Sequence, residues 1–227
     1  MLGVITAAAR SPRLLPLTKD TPVSLIEVGG RPVLDYQLET LRLAGVDDTL
    51  VITGFCANQV EEFCKGRATC VYNPFYESGN LAMNLWMVRQ EITQGLILLY
   101  NDIMFQDELV KEVLAREDGI LLVIDPTGLD REAEKVALRE GVVTAIGKDV
   151  AEPSGEFIGM ARFSRNTVPV LVQELEEVAR TDLDTTFPGL IQRIVQHGHT
   201  VGVHTSDRPW TDIDFPSDLE EARRLFG

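Results

Sequence analysis

Two periods of apolar and polar positions alternate along the chain. Residues 3–8 form a short, nearly continuous apolar run, the pattern of a buried strand. Residues 31–44 carry Leu34, Leu38 and Leu41 on one face and read as a helix. DTLVITGF is the next strand, ending in Gly54, and a short helix follows near Val60. ATCVYN reads as a third strand. NLAMNLWMVRQEI then places Leu81, Leu85, Val88 and Ile92 on one helical stripe. GLILLYND, ending in Asp102, and GILLVID are continuous apolar runs of the kind covered on both faces in a parallel sheet. After Asp125 the rhythm changes. KVALREGVVTAIGK reads as two strands turning at Glu140-Gly141, and GEFIGMARFS as one more. Val168, Leu171, Leu175 and Val178 mark a helix, and residues 187–195 another. HTVGVHT is a late strand, and the last helix begins at PSDLEEARRLF, where Ser217 and Glu220 have capping-box spacing.

This order predicts an α/β fold with a doubly wound, mostly parallel (mixed) sheet. The 227 residues suit a single domain over 1–227, with a substrate-side subregion at about 125–165. Ligands in such folds bind beyond the carboxyl ends of the strands.

Composition narrows the function. Apolar residues make up 44% of the chain, enough for a sizeable core, yet no run approaches the roughly 18 residues of a membrane span. The start, MLGVITAAAR, is too short and wrongly charged for a signal peptide, so a cytoplasmic protein is expected. The net charge of −14 argues against a nucleic-acid partner. An acidic protein can still bind anionic metabolites if a divalent cation and a few local Arg or Lys residues offset its field. Cys56, Cys64 and Cys70 fit no common zinc spacing and are expected to be reduced. His197 and His199 stand where a helix ends, and with His204 they make no zinc pattern.

The stretch ITAAARSPRLLPLTKDTPVSL has the build of a phosphate loop after a first strand, but residues 5–28 contain no glycine. Arg13 and Lys19 are its candidate phosphate contacts, or simply solvated charges. Asp102 ends a buried run and either holds a metal at the crevice or caps a turn. Asp212 and Asp214 share one face of an extended segment. Asp102 with Asp214 would make a two-carboxylate magnesium site, and the bland reading of Asp212 and Asp214 is a solvated acidic loop before a capped helix. NPFYESGN is either a recognition loop or plain turn chemistry. Lys148 and Glu156 flank late strands and could be ordinary edge charges.

In this order, the pieces resemble the nucleotidyltransferases that activate sugar 1-phosphates and related phosphates. The likeness is greatest to the cytidylyltransferase branch acting on phosphocholine, inositol phosphate or aminoethylphosphonate. It rests on Ala7, Ala8, Arg13, Leu14, Pro16, Leu17, Thr18, Pro22 and Leu25 in the first loop. It continues through VGGRPVLDYQLETLRLAGVDD, YNPFYESGNLAMNLW, LLYNDIMF, LDREAEKVALREGVVTAIGKDV, GEFIGMARFS and WTDIDFPSDLEEA. The resemblance implies a nucleotide-diphospho-sugar transferase-like fold and transfer of a nucleotidyl group, CMP favoured, from a nucleoside triphosphate to a small phosphate or phosphonate acceptor. It implies Mg2+ on Asp102 and Asp214, and Arg13 and Lys19 as the catalytic cations. Ala7, Ala8, Ala9, Arg13 and Asn101 would meet the nucleotide, and Asn80, Lys148, Glu156 and Asp212 the acceptor. A homodimer and no membrane partner are expected. A sugar-1-phosphate nucleotidyltransferase using another nucleotide, and a non-catalytic nucleotide-binding homologue, are the alternatives. Four positions depart from the family pattern, and one is Asn101, which stands where glycine is usual. Ala9 and Ser11 replace glycines, and Val23 replaces the lysine beside the α-phosphate, so Val23→Lys is expected to raise the rate.

Overall fold

The structure, a computed structural model, describes every residue except 118, 128, 130 and 131; Asp130 and Arg131 of the LDREAEKV landmark therefore lie outside the described residues. In chain order the elements are β1 (Leu2–Ala7), β2 (Glu27–Val28), β3 (Arg31–Pro32), α1 (Val33–Leu43), β4 (Thr49–Thr53), α2 (Ala57–Cys64), β5 (Thr69–Tyr72), α3 (Leu81–Met87), β6 (Gly95–Tyr100) and β7 (Ile103–Phe105). They continue with α4 (Glu108–Ala115), β8 (Ile120–Asp125), β9 (Lys135–Arg139), β10 (Val142–Gly147), β11 (Gly155–Ser164), α5 (Val168–Thr181), α6 (Phe187–Gln196), β12 (Val201–Thr205), β13 (Trp210–Asp212) and α7 (Pro216–Phe226).

The chain groups into two compact units, and β6 is divided between them after Ile97. One unit holds residues 2–77, 98–111 and 208–227. Its strands β5, β4 and β1 lie side by side and parallel, with Gly3 opposite Thr49 and Leu50 opposite Thr69. β4 is buried along its whole length, as a central parallel strand must be. A separate two-stranded ladder joins β7 to β13, and a hairpin joins β2 to β3 across Gly29-Gly30. Both glycines have positive φ, which glycine adopts without steric cost. An apolar cluster of Leu14, Val23, Ile26, Val33, Met104, Ile213 and Leu219 ties these pieces together.

The other unit holds 78–97 and 112–207, together with Met1. Its strand order is β11-β8-β12-β10-β9, with β12 parallel to β8 and the remaining neighbours antiparallel. The predicted hairpin turns at Glu140-Gly141, both with positive φ. A buried carboxylate, Glu174 on α5, is paired with Arg193 at 3.3 Å and with His197 Nδ1 at 2.5 Å, both at the end of α6.

Two sequence expectations need correction. The stripe at residues 81–92 is helical only to Met87; Val88, Arg89 and Ile92 then bond three residues back, as successive turns. Leu85, Val88 and Ile92 stay buried, so the apolar spacing is real although the helix is short. At α7 the backward bond comes from Asp218, not from a Ser217–Glu220 pair: Asp218 Oδ2 accepts from the backbone N–H groups of Asp214 and Phe215. Ser217 instead contacts Asp218, and Glu220 pairs with Arg223. β7 and β13 have three residues each, too few to show a period, whereas α4 carries a readable apolar face of Leu109, Val110 and Val113.

Candidate active site

Three carboxylates converge at the end of the β7–β13 ladder. β6 hands the chain to β7 through a two-residue turn, Asn101-Asp102. In the ladder Asp212 stands opposite Ile103, and the Ile213 amide donates to the Asp102 carbonyl at 2.9 Å. Ile213 is fully buried in the apolar cluster. Because side chains alternate along an extended segment, its neighbours Asp212 and Asp214 are turned the other way. Asp218 fixes the backbone at Asp214 from the first turn of α7.

The electrostatics follow from this crowding. Asp102 Oδ1 is buried and has no hydrogen-bond partner. Burial, and then the charges of Asp212 and Asp214, push the Asp102 carboxyl up to about 7. Asp214 has a counter-charge: Arg13 Nη1 lies 2.9 Å from its Oδ2, with the guanidinium over the Phe215 ring at 5.2 Å. Among the described residues no three His, Cys, Asp or Glu side chains form a ready-made metal cage. A pair of carboxylates suits a cation that keeps most of its ligands for water and phosphate oxygens, as Mg2+ does. The orphaned Asp102 oxygen beside two more carboxylates therefore fits that group.

The first loop dispenses with glycine because its backbone never needs one. Nowhere in residues 5–28 is φ positive. Side chains fasten the loop instead. Thr18 Oγ1 donates to the Ser11 carbonyl at 2.6 Å, and Leu14 and Leu17 amides close successive turns. Arg10 lies over the Phe55 ring at 4.2 Å and 3.4 Å from Glu77. The close approach that glycine serves is moved to the facing segment: Phe55 N–H donates to the Ala8 carbonyl, and a Cβ on Gly54 would sit 2.6 Å from that same oxygen. Ala7 and Ala8 are buried, and Ala9 and Lys19 are exposed. Among the described residues Lys19 makes no ion pair.

The comparisons bear on the family and the fold. Residues 3–158 match the MobA-like NTP transferase domain. The chain belongs to this family. This NTP transferase is 23% identical over 248 residues to the CTP:phosphoglutamine cytidylyltransferase of Campylobacter jejuni, covering 97% of this chain and 98% of that protein. It is 29% identical over 217 residues to the choline-phosphate cytidylyltransferase of Streptococcus pneumoniae, covering 82% and 93%. Its fold matches the inositol-1-phosphate CTP transferase of T. maritima with a TM-score of 0.85 at 22% identity, over 99% and 94% of the two chains.

The sequence-predicted residues of the transferase divide between its two units. Ala7, Ala8, Ala9, Arg13, Lys19, Asn101, Asp102, Asp212 and Asp214 belong to one, and Asn80, Lys148 and Glu156 to the other. Asp212, expected at the acceptor, stands close enough to Asp102 for its charge to be felt there. Asn80 caps α3, its Oδ1 accepting from the Leu81 amide at 2.8 Å. Lys148 Nζ lies 3.2 Å from Glu132, and its charge partly offsets the upward push of burial on the Glu134 carboxyl. Glu156 stands opposite Lys135 at the start of β11.

Sequence reasoning missed Asp218, which accepts from the Asp214 and Phe215 amides, and Gln37, whose Nε2 donates to the Tyr100 and Ile103 carbonyls on either side of Asn101-Asp102. Gln37 had a readable signal, since it lies between Leu34 and Leu41 on the apolar face of α1, where a polar residue needs a partner.

Val23 is corrected most sharply. It is 2% exposed and packed among Leu14, Met104 and Ile213, so its position is filled rather than vacated by a lost cation. Val23→Lys is therefore expected to lower stability, by about 1–3 kcal/mol from overfilling a packed core and further from burying an unpaired ammonium, and to give no gain in rate. Thermal denaturation and a steady-state assay check both. A second prediction concerns Asp102 in metal-free protein. Its native pKa of about 7 lies above the ordinary 3.8. Between those values the folded state holds a proton that the unfolded state has released, so stability drains away as pH rises through that window. Asp102→Asn should thus melt higher than the parent at pH 8, and the advantage should vanish near pH 4, measured by thermal denaturation in EDTA.

Proposed function

We propose that this transferase moves CMP from CTP to a small phosphate or phosphonate acceptor, of the phosphocholine or aminoethylphosphonate kind, and releases pyrophosphate with Mg2+ present. The observation that carries this reading is the buried, unpartnered Asp102 oxygen flanked by Asp212 and Asp214, in the unit that also holds the first loop and its cations. The choice of CTP and of the acceptor class is supported by the names of the two relatives described above, both cytidylyltransferases of phosphate-bearing acceptors.

The chemistry asks little of general bases. An acceptor phosphate oxygen is already ionised. It forms a bond to the α-phosphorus as the bond to the β-phosphate oxygen breaks, and pyrophosphate leaves. Catalysis then rests on positioning and on neutralising charge. Asp102 and Asp214 are the residues that would hold Mg2+, which supplies positive charge at the triphosphate when bound. Arg13 lies on Asp214 in the resting protein and is the cation that a triphosphate would draw away. Lys19, exposed on the same loop and without an ion pair among the described residues, is the second phosphate contact, in place of the lysine that Val23 displaces. The backbone at Ala9, exposed beyond the end of β1, is left for the nucleoside.

A pyrophosphate-release assay crossing four nucleoside triphosphates with phosphocholine, aminoethylphosphonate, inositol phosphate and a sugar 1-phosphate tests this. The expected result is turnover with CTP and one of the first three, lowered at least about 100-fold by Asp102→Ala, the scale of losing one charge-stabilising contact. Turnover only with a sugar 1-phosphate and another nucleotide moves the enzyme to the sugar-activating branch. Thermal stabilisation by nucleotides with no turnover anywhere in the panel makes it a binding protein.

A further inference from the structure

We propose that Gln37 is a positioning residue that sets the Asp102 carboxylate by clamping the turn between β6 and β7. Gln37 lies on α1 and is completely buried. Its Nε2 donates to the Tyr100 carbonyl at 2.7 Å and to the Ile103 carbonyl at 2.9 Å. Those two carbonyls bracket Asn101-Asp102, so one amide group bridges the mouth of the turn. The side chain has only two N–H donors, and both are spent here.

The cost of this arrangement shows that it is specific. Gln37 Oε1 is buried and left without a partner. Turning the amide over would not help, because it would set the oxygen against two carbonyl oxygens. An amide buried for packing alone would be expected to satisfy its acceptor as well, since an orphaned buried polar atom is unfavourable. Within the turn, the Asp102 carboxylate accepts from its own backbone N–H. Asn101 Nδ2 and Asp102 Oδ1 are also buried without hydrogen-bond partners. The turn's backbone is fixed from outside by Gln37 on one side and by the Ile213 amide on the other. The neighbouring residues of α1 grip the chain further along: Tyr36 O–H donates to the Phe105 carbonyl, and Thr40 Oγ1 donates to Asp107 at 2.7 Å. Of these three, Gln37 alone reaches the carbonyls on both sides of Asp102.

The proposal rests on the cation-assisted reading above, and its test separates the two. Mn2+ is used as the probe, with binding followed by electron paramagnetic resonance and the half-saturating metal concentration taken from the pyrophosphate assay. Gln37→Met keeps the length and removes both donors. Gln37→Asn keeps the donors and shortens the reach, and serves equally if the methionine variant does not fold. Thr40→Val removes a hydrogen bond from the same helix one turn along and controls for lost stability. The expected result is Mn2+ binding weakened about tenfold or more in the Gln37 variants, the scale of losing an outer-shell support, with a matching rise in half-saturating metal. Thr40→Val should melt lower while binding Mn2+ as the parent does. Unchanged Mn2+ affinity in folded Gln37 variants overturns the role of Gln37 and leaves the cation site standing. Equal weakening in Thr40→Val makes the effect one of general stability and also overturns it. A parent protein that takes up no Mn2+ overturns both.

Discussion

The site depends on holding three carboxylates together against their own repulsion. Asp102, Asp212 and Asp214 gain nothing from proximity in the resting protein, and burial makes the charge on Asp102 dearer still. What keeps them in place lies underneath. Ile213, between two of them, is anchored in the apolar cluster with Met104 and Leu219. The β7–β13 ladder sets the register, Asp218 fixes the start of α7, and Gln37 closes the turn at Asp102. Arg13 is the local counter-charge, and it answers Asp214 directly. In a chain of net charge −14, a site for anionic substrates needs such local offsets.

The same apolar cluster explains the first loop. Leu14 and Val23 belong to it, so the loop is pinned by burial at two points and by Thr18 and Arg10 between and before them. A loop fixed this way keeps ordinary negative φ values, and the usual reason for glycine disappears. The close backbone approach is still present, but Gly54 supplies it from the opposite side. Val23 is part of this solution rather than a gap in it. Of the loop's cations, Arg10 lies over Phe55, Arg13 rests on Asp214, and Lys19 is exposed.

Much of this was legible in the sequence, for reasons that can be named. Strands β1, β4, β6 and β8 announce themselves because a strand buried on both faces is apolar at most positions. The hairpin at Glu140-Gly141 shows because its turn needs positive φ. Asp102 could be singled out because it ends an apolar run, and Asp214 because it shares one face of an extended segment with Asp212, both in a family-like order. Gln37 was visible only as an oddity on an apolar helix face, and β7 and β13 have too few residues to show a period.

The sequence by itself determined the alternation of strands and helices and the family, and named the carboxylates as candidates, since each is written in local pattern or in the order of motifs. Only the tertiary structure decided that Val23 is core, that Arg13 rests on Asp214, that Asp218 rather than Ser217 and Glu220 secures α7, and that Gln37 grips the Asp102 turn. Each of those depends on which distant segment packs against the residue. Burial and hydrogen-bond partners belong to pairs of segments, and a single strand of letters carries only one side of each pair.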